Sequence, residues 1–259
     1  MLNVTSLCGG YYKNIVVNEV SLQANEGDMI YVLGANGCGK TTLLNMIIGY
    51  KKRESGSIEF DGINIDELSV KQMAKLVSYI PQQHVPAYNY NVRDVVVMGR
   101  AGSLPIYAAP KDKDFALVNE SLDMLGIAHF IDAQYSELSG GERQLVLIAR
   151  ALCQQAKIII MDEPLQSLDF VNQAMVLRAL KLLIKKGYSV MMSTHTAISN
   201  YADTDKVLLM SRKGSAVFGS IEDILTRENI ERAYGTPLQA IFSIDERGGK
   251  HIICMPTNV

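Results

Sequence analysis

Met29-Ile-Tyr-Val-Leu-Gly34-Ala-Asn-Gly-Cys-Gly-Lys40-Thr41-Thr-Leu-Leu-Asn-Met-Ile-Ile-Gly49 is the stretch that decides the fold. Met29–Leu33 is a short apolar run that stops at glycine, the pattern of a buried strand. Lys40–Gly49 carries Leu43, Leu44, Ile47 and Ile48 on one side and ends on glycine, which predicts a helix. Between them, Gly34 to Thr41 matches G-x-x-x-x-G-K-[ST] in full, in the strand-to-helix setting that gives the motif its meaning. Gly34, Gly37 and Gly39 let the backbone curl with its N–H groups turned inward toward phosphate oxygens. The helix start adds its positive dipole end. Lys40 sets a point charge by the β- and γ-phosphates, the Thr41 hydroxyl can ligate Mg²⁺, and Thr42 can add a hydrogen bond. Gly34, Asn36, Gly37, Cys38, Gly39, Lys40, Thr41 and Thr42 are therefore the candidate phosphate-binding set. The motif fixes nucleotide binding and leaves open what the energy drives.

Working outward, Ile158–Met161, Ser189–Ser193 and Val207–Met210 read as further buried strands. Val176, Leu180, Leu183 and Ile184 fall at helical spacing with Gly187 as a stop. Short apolar strands alternating with helices predict an α/β fold with a mainly parallel sheet covered on both faces. Residues Leu2–Leu22 and Ser57–Tyr79 look like shorter β pieces, with a turn at Asp61–Gly62, and suggest an antiparallel layer beside the main sheet. Residues His84–Leu152 hold few convincing strands. There Phe115, Val118, Leu122 and Leu125 share one helical face that ends at Gly126, and Pro86–Asn91 forms a polar entry loop with aromatic residues. The expected division is one nucleotide-binding core with a β layer (1–84 and 153–259) and a helical subdomain (85–152).

The 259 residues carry 25 Lys and Arg against 27 Asp and Glu, a net charge of −2. With no positive excess, a broad nucleic-acid-binding surface is not expected. A mean hydropathy of +0.09 raises the question of a membrane span. No apolar run approaches the roughly 20 residues a span needs. Leu43–Tyr50 is broken by Asn45, and Val95–Met98 lies between Asp94 and Arg100. The opening Met1–Lys13 lacks a basic start followed by an apolar core, so no secretory signal is expected. The four cysteines (Cys8, Cys38, Cys153, Cys254) and four histidines are scattered, so no all-protein metal site is legible and reduced thiols are expected.

Two further motifs carry chemistry. Lys157-Ile-Ile-Ile-Met-Asp162-Glu163-Pro164 places two carboxylates at the end of a buried strand, where ligands of such sheets bind. Asp162 suits a direct or water-mediated Mg²⁺ role. Glu163 can polarise the water that attacks the γ-phosphate. Two solvated acids in a strand-to-loop turn are common, but after a complete phosphate loop the functional reading prevails. Leu138-Ser-Gly-Gly-Glu142-Arg-Gln144 precedes the apolar stretch Leu145–Leu152. Ser139 is placed to cap that helix, and Gly140 and Gly141 let a phosphate come close to its N-terminus.

LSGGE between a phosphate loop and an apolar strand ending in Asp-Glu resembles the signature of ATP-binding cassette (ABC) ATPases, and the resemblance covers nearly the whole chain. It implies a P-loop NTPase cassette with a RecA-like core sheet, an antiparallel β layer and a helical subdomain. It also implies ATP and Mg²⁺ as cofactors. Tyr11 stands where the family stacks an aromatic ring on adenine, with Tyr12 the lesser alternative. Gln82, in Tyr79-Ile-Pro-Gln82, resembles the glutamine that contacts Mg²⁺ and the attacking water. Ser167-Leu-Asp169 resembles the D-loop, and His195, in Ser193-Thr-His195, the switch histidine near the γ-phosphate. Each of these is weak alone; their order and spacing together are not. Four positions depart from the family pattern: Glu142 where glutamine is common, Leu145 after Gln144 where arginine is common, no threonine after Pro164, and Thr196 after His195 where aspartate is common. These affect interface detail and rate.

The same resemblance implies two cassettes packed head to tail, each ATP lying between the phosphate loop of one and the LSGGE of the other, so that Ser139, Gly140 and Gly141 act in trans. With no span of its own, such a cassette works with integral membrane permease subunits at the cytoplasmic face of the inner membrane, served by a separate substrate-binding protein. Asn91-Val-Arg-Asp94-Val-Val-Val-Met-Gly-Arg100 resembles the importer branch for iron–siderophores, haem and cobalamin, with molybdate importers close by. The rival readings are a soluble ABC ATPase in assembly or repair and a nucleotide-gated regulatory module. The lack of a Cys-x-x-Cys or a coiled-coil insertion speaks against repair; Glu163 and His195 speak against a module without turnover. Lys40→Ala should abolish measurable ATP binding in calorimetry, and unaltered affinity would refute the phosphate-loop assignment.

Overall fold

The computed structural model describes residues 1–12, 14–82, 89–105, 107–195, 198–202, 204–236, 238–244 and 250–256. Along the chain run β1 (Leu2–Tyr11), β2 (Asn14–Ala24), β3 (Met29–Gly34), α1 (Lys40–Ile47), β4 (Ser55–Phe60), β5 (Ile63–Asn64), α2 (Val70–Leu76) and β6 (Val77–Ile80). Next come α3 (Val92–Val97), α4 (Asp112–Met124), α5 (Gly140–Cys153), β7 (Ile158–Met161), α6 (Phe170–Lys185), β8 (Ser189–Thr194) and β9 (Ile198–Tyr201). The last are β10 (Lys206–Met210), β11 (Ala216–Ser220), α7 (Ile221–Ile224), α8 (Arg227–Tyr234), β12 (Leu238–Ile244) and β13 (Lys250–Pro256). They form two compact units, Met1–Glu67 with Met191–Val259, and Leu68–Val190.

The first unit holds an antiparallel layer in the order β2-β1-β4-β5. Its main sheet runs β11-β10-β3-β8, with β3 parallel to β10 and β11 antiparallel to it. All six residues of β3 are buried, which is why its sequence is continuously apolar rather than alternating. A third sheet, β12-β13-β9, is antiparallel.

In the second unit β6 and β7 pair in parallel, and the first two residues of β8 belong to this unit. Its helices gather on α5, which packs against α3, α4 and α6. Helix α5 buries Leu145 to Ala149 without a break, then Ala151, Leu152 and Cys153, as an interior helix must. Burial pushes the Cys153 thiol up to about 11. The Arg100 guanidinium pairs with Asp114 at 3.0 Å and also donates to the Cys153 carbonyl at 3.0 Å, tying the start of α4 to the end of α5. Among the described residues no helix is long and apolar enough to cross a membrane.

Several elements differ from the sequence expectation. Ser57–Tyr79 is not a run of β pieces of one layer: only β4 and β5 join the antiparallel layer. Val70–Leu76 is a helix, opened by Ser69 and Gln72 in a reciprocal capping box. The following Val77–Ile80 pairs in parallel with β7. Helix α1 ends at Ile47, not Gly49, which takes a positive φ of 75° beyond it. Asp61 and Gly62 do make the expected turn, both with positive φ. Pro86–Tyr88 of the entry loop lie outside the described residues, and Asn91 at its end bridges to Gln134. Helices α7 and α8 and the hairpin β12–β13 had no reading in the sequence.

The Lys111 N–H bonded to Asp114, with Arg100 beside it, holds that carboxyl below the usual carboxylate range although burial opposes this. Asp114→Asn leaves the Arg100 charge without its counterion and should lower the unfolding midpoint at neutral pH. The folded carboxyl stays ionised below the unfolded value of about 3.9, so its contribution is complete above that value and disappears as pH falls through the lower folded value. Denaturant titrations of the two proteins should therefore converge on acidification. A stability gap that ignores pH would contradict this.

Candidate nucleotide-binding and hydrolysis site

In the first unit the phosphate loop leaves β3 and enters α1. Helix α1 opens on Gly39 at φ 106°, with no side-chain cap and no acidic residue in its first turn. A Cβ on Gly39 would sit 2.4 Å from the Val16 carbonyl oxygen, so both the backbone angle and the approach of β2 require glycine. The first N–H groups of a helix have no intrahelical acceptor. Most α-helix starts answer this with Ser, Thr, Asp or Asn; here the cap position is empty of side chain, as an anion site needs. Lys40 is only 5% exposed, and its Nζ donates to the Gly34 and Ala35 carbonyls at 2.9 and 3.3 Å. The loop's own oxygens thus hold the ammonium where phosphate oxygens would compete for it.

The neighbouring candidates divide by exposure. Asn36 and Thr41 are exposed, whereas Cys38 and Thr42 are buried. The Cys38 N–H closes a turn onto the Ala35 carbonyl at 3.2 Å, and its buried Sγ sits so close to Gly34 that a Cβ there would lie 2.8 Å from it. Tyr11 ends β1 in the same unit and is 51% exposed. Tyr12 follows at φ 56° and is fully exposed. His195 directly follows β8; Thr196 lies outside the described residues.

In the second unit β7 delivers the two carboxylates. The Asp162 N–H donates to the Ile80 carbonyl at 2.9 Å, extending the β6–β7 pairing by one residue. Asp162 is 1% exposed and receives a hydrogen bond from the Tyr79 side chain. Burial first, then the Asp162 charge and bond, pushes the Tyr79 phenol well above its ordinary value. Side chains alternate along a strand, so Asp162 and Glu163 would face opposite ways. Glu163 instead takes φ 47°, a left-handed conformation costing a non-glycine residue roughly 1–2 kcal/mol. Its Oε2 accepts from the Gln82 Nε2 at 3.4 Å, and the same Nε2 also donates to the Gln166 side chain. Glu163 and Gln82 are therefore brought together, with Asp162 next to Glu163 in the chain, and with Gln166 beside Gln82 and Tyr79 on Asp162 as partners that the sequence reading did not single out.

The signature glycines have a packing reason as well. Ser139 caps α5: its Oγ accepts from the Glu142 N–H at 3.3 Å, and Glu142 Oε2 accepts from the Ser139 N–H at 2.7 Å. Bonds to the Ser139 side chain and backbone hold the Glu142 carboxyl below its usual range. Glutamate in place of glutamine thus completes a capping box. A Cβ on Gly141 would meet Asn172 at 2.2 Å from Oδ1 and 2.7 Å from Cβ. Asn172 in turn donates its N–H (2.8 Å) and side-chain amide (3.1 Å) to Asp169, the cap of α6. Asp169 and the signature are linked through Asn172, which sequence spacing gave no way to see.

Residues 17–166 match the model of the ABC transporter family. The chain belongs to that family. An uncharacterized ABC transporter ATP-binding protein of Haemophilus influenzae is 37% identical over 236 residues, covering 91% of this chain and 90% of its own length. The molybdate import ATP-binding protein MolC of the same species is 34% identical, covering 92% and 89%. A solved structure described as an inward-facing ABC transporter of metal-chelate type overlays with a TM-score of 0.83 at 32% identity, covering 98% of this chain and 96% of that one. The fold is accordingly the ABC cassette, an α/β P-loop NTPase, and the chain is an ATP-binding cassette ATPase. In this cassette Gly141→Ala should cost about 1–3 kcal/mol of stability by overpacking against Asn172. Asn172→Ala in the same chain should recover part of it, and strictly additive losses in denaturant titrations would show that the two do not meet.

Proposed function

We propose that the cassette is the ATP-hydrolysing subunit of a multi-subunit ABC importer for a metal chelate. The hydrolytic reading is carried by the contact between Gln82 and Glu163 at the end of β7, which sets the carboxylate of a residue with a left-handed backbone beside a polar amide. In this reading the phosphates occupy the loop of Gly34, Asn36, Gly37, Cys38 and Gly39, with Lys40 released from its carbonyls onto the β- and γ-phosphates. Glu163 takes the proton of the attacking water as general base, Gln82 orients that water, and His195 attends the γ-phosphate.

Mg²⁺ fits the donors present. The exposed Thr41 hydroxyl, the Asp162 carboxylate and the Gln82 amide oxygen are all hard oxygen ligands, and the bonds made by Gln82 use its nitrogen. The ion, when bound, neutralises charge on the transferring phosphoryl group. Tyr11 is the surface for the base.

Two copies close head to tail on ATP, Ser139, Gly140, Gly141 and Asp169 of one contacting the nucleotide of the other, and hydrolysis opens them. Permease subunits hold the pair at the cytoplasmic face of the membrane, and a substrate-binding protein delivers the cargo to them. Metal chelates such as iron–siderophore, haem or cobalamin are the proposed cargo. The sequence of Asn91–Arg100 and the likeness to a metal-chelate type transporter support this, while MolC keeps molybdate within the class to be tested. Glu163→Gln should keep ATP affinity, lower turnover at least about 100-fold, and accumulate ATP-bound dimers in sedimentation. Unchanged turnover would remove Glu163 from the role of base.

A further inference from the structure

We propose that Lys51 is a positioning residue for the nucleobase: it backs one face of the Tyr11 ring and leaves the other face for the base. The Lys51 Nζ lies 3.7 Å from the Tyr11 ring centroid, well inside cation–π range. No carboxylate among the described residues pairs with that ammonium, so the ring is the partner the structure gives it. The juxtaposition is built by the backbone. The Lys51 N–H donates to the Asn45 carbonyl at 2.9 Å, and the Gly49 N–H to Met46 at 3.0 Å, which fixes the chain leaving α1. The Glu54 N–H then donates to the Cys8 carbonyl at 2.8 Å, and Cys8 pairs with Ser55 as β4 joins β1. The helix that begins with Lys40 in the phosphate loop therefore ends by setting Lys51 beside the tyrosine that closes β1.

A half-exposed aromatic ring on a strand end has two faces and a free χ1, and an unbacked ring has to be ordered when a base stacks on it. An ammonium on one face fixes the ring plane and draws electron density toward itself. The opposite face is then better matched to an electron-rich purine. Lys51 acts through Tyr11, not on phosphate, so its effect is confined to ligands that carry a base.

This inference rests on Tyr11 being the base platform. The test is calorimetric affinity of the full-length chain for MgATP and for inorganic tripolyphosphate, with steady-state turnover alongside, in wild type, Lys51→Met, Lys51→Arg and Tyr11→Leu. Lys51→Met should weaken MgATP about two- to fivefold, leave tripolyphosphate affinity and saturated turnover unchanged, and be rescued by Lys51→Arg, whose guanidinium also stacks on aromatic faces. Equal weakening for MgATP and tripolyphosphate would overturn the proposal as a plain charge effect. So would wild-type MgATP affinity in Lys51→Met while Tyr11→Leu is weakened, or a Lys51→Arg loss as large as that of Met. If Tyr11→Leu itself binds MgATP like wild type, the platform reading fails, and the Lys51 proposal with it.

Discussion

The arrangement depends first on the uncapped start of α1. A helix start presents N–H groups that the helix cannot satisfy, and proteins normally cover them with a short polar side chain. Here Gly39 supplies none, and β2 leaves no room for one. The ammonium of Lys40, the first residue of α1, is turned back onto the loop's carbonyls. An anion at this point gains both the backbone donors and the ammonium, so the loop is most stable when occupied. The contrast is α5, whose start is satisfied internally by Ser139 and Glu142. One helix start is built open and the other closed. This agrees with the proposed roles: a primary phosphate cradle, and a second contact that engages only when a partner's nucleotide arrives.

The carboxylate end of β7 shows a second constraint. Asp162 is kept in place by the sheet itself, through its N–H to Ile80 and the Tyr79 side chain. Glu163, just past the end of β7, takes a left-handed backbone, and Gln82 and Gln166 stand beside it. Local strain at a reacting group persists only when surrounding contacts over-determine it. Proposed metal ligand and proposed base thus differ by one residue in sequence but are held by different physics.

Much of this was legible beforehand because its cause is local. The apolar run of β3, the glycines of the loop and the capping position of Ser139 each follow from one segment's own chemistry. What was missed depends on contacts distant in sequence or on weak local signals. Val77–Ile80 is too short for periodicity to tell an antiparallel layer from a parallel core, and only its pairing with β7 settles it. The Ser69–Gln72 capping box was a readable signal for α2, overshadowed by the β-like residues around it. The link from Gly141 through Asn172 to Asp169, and that from Lys51 to Tyr11, join segments whose separation carries no pattern. Local rules find elements and motifs; partners of the motif residues come from packing.

The central claim is that one ATP is shared by the phosphate loop of one copy and the α5 start of another. Complementation between two inactive chains tests it most directly. Lys40→Ala disables every loop and Ser139→Arg every α5 start, so each variant alone should be inactive. In a mixed head-to-tail pair, one of the two sites joins an intact loop to an intact α5 start. The account predicts that mixing the two dead variants, under conditions where copies exchange, restores ATP hydrolysis. Absence of any recovery, with mixed pairs demonstrably formed, would contradict it.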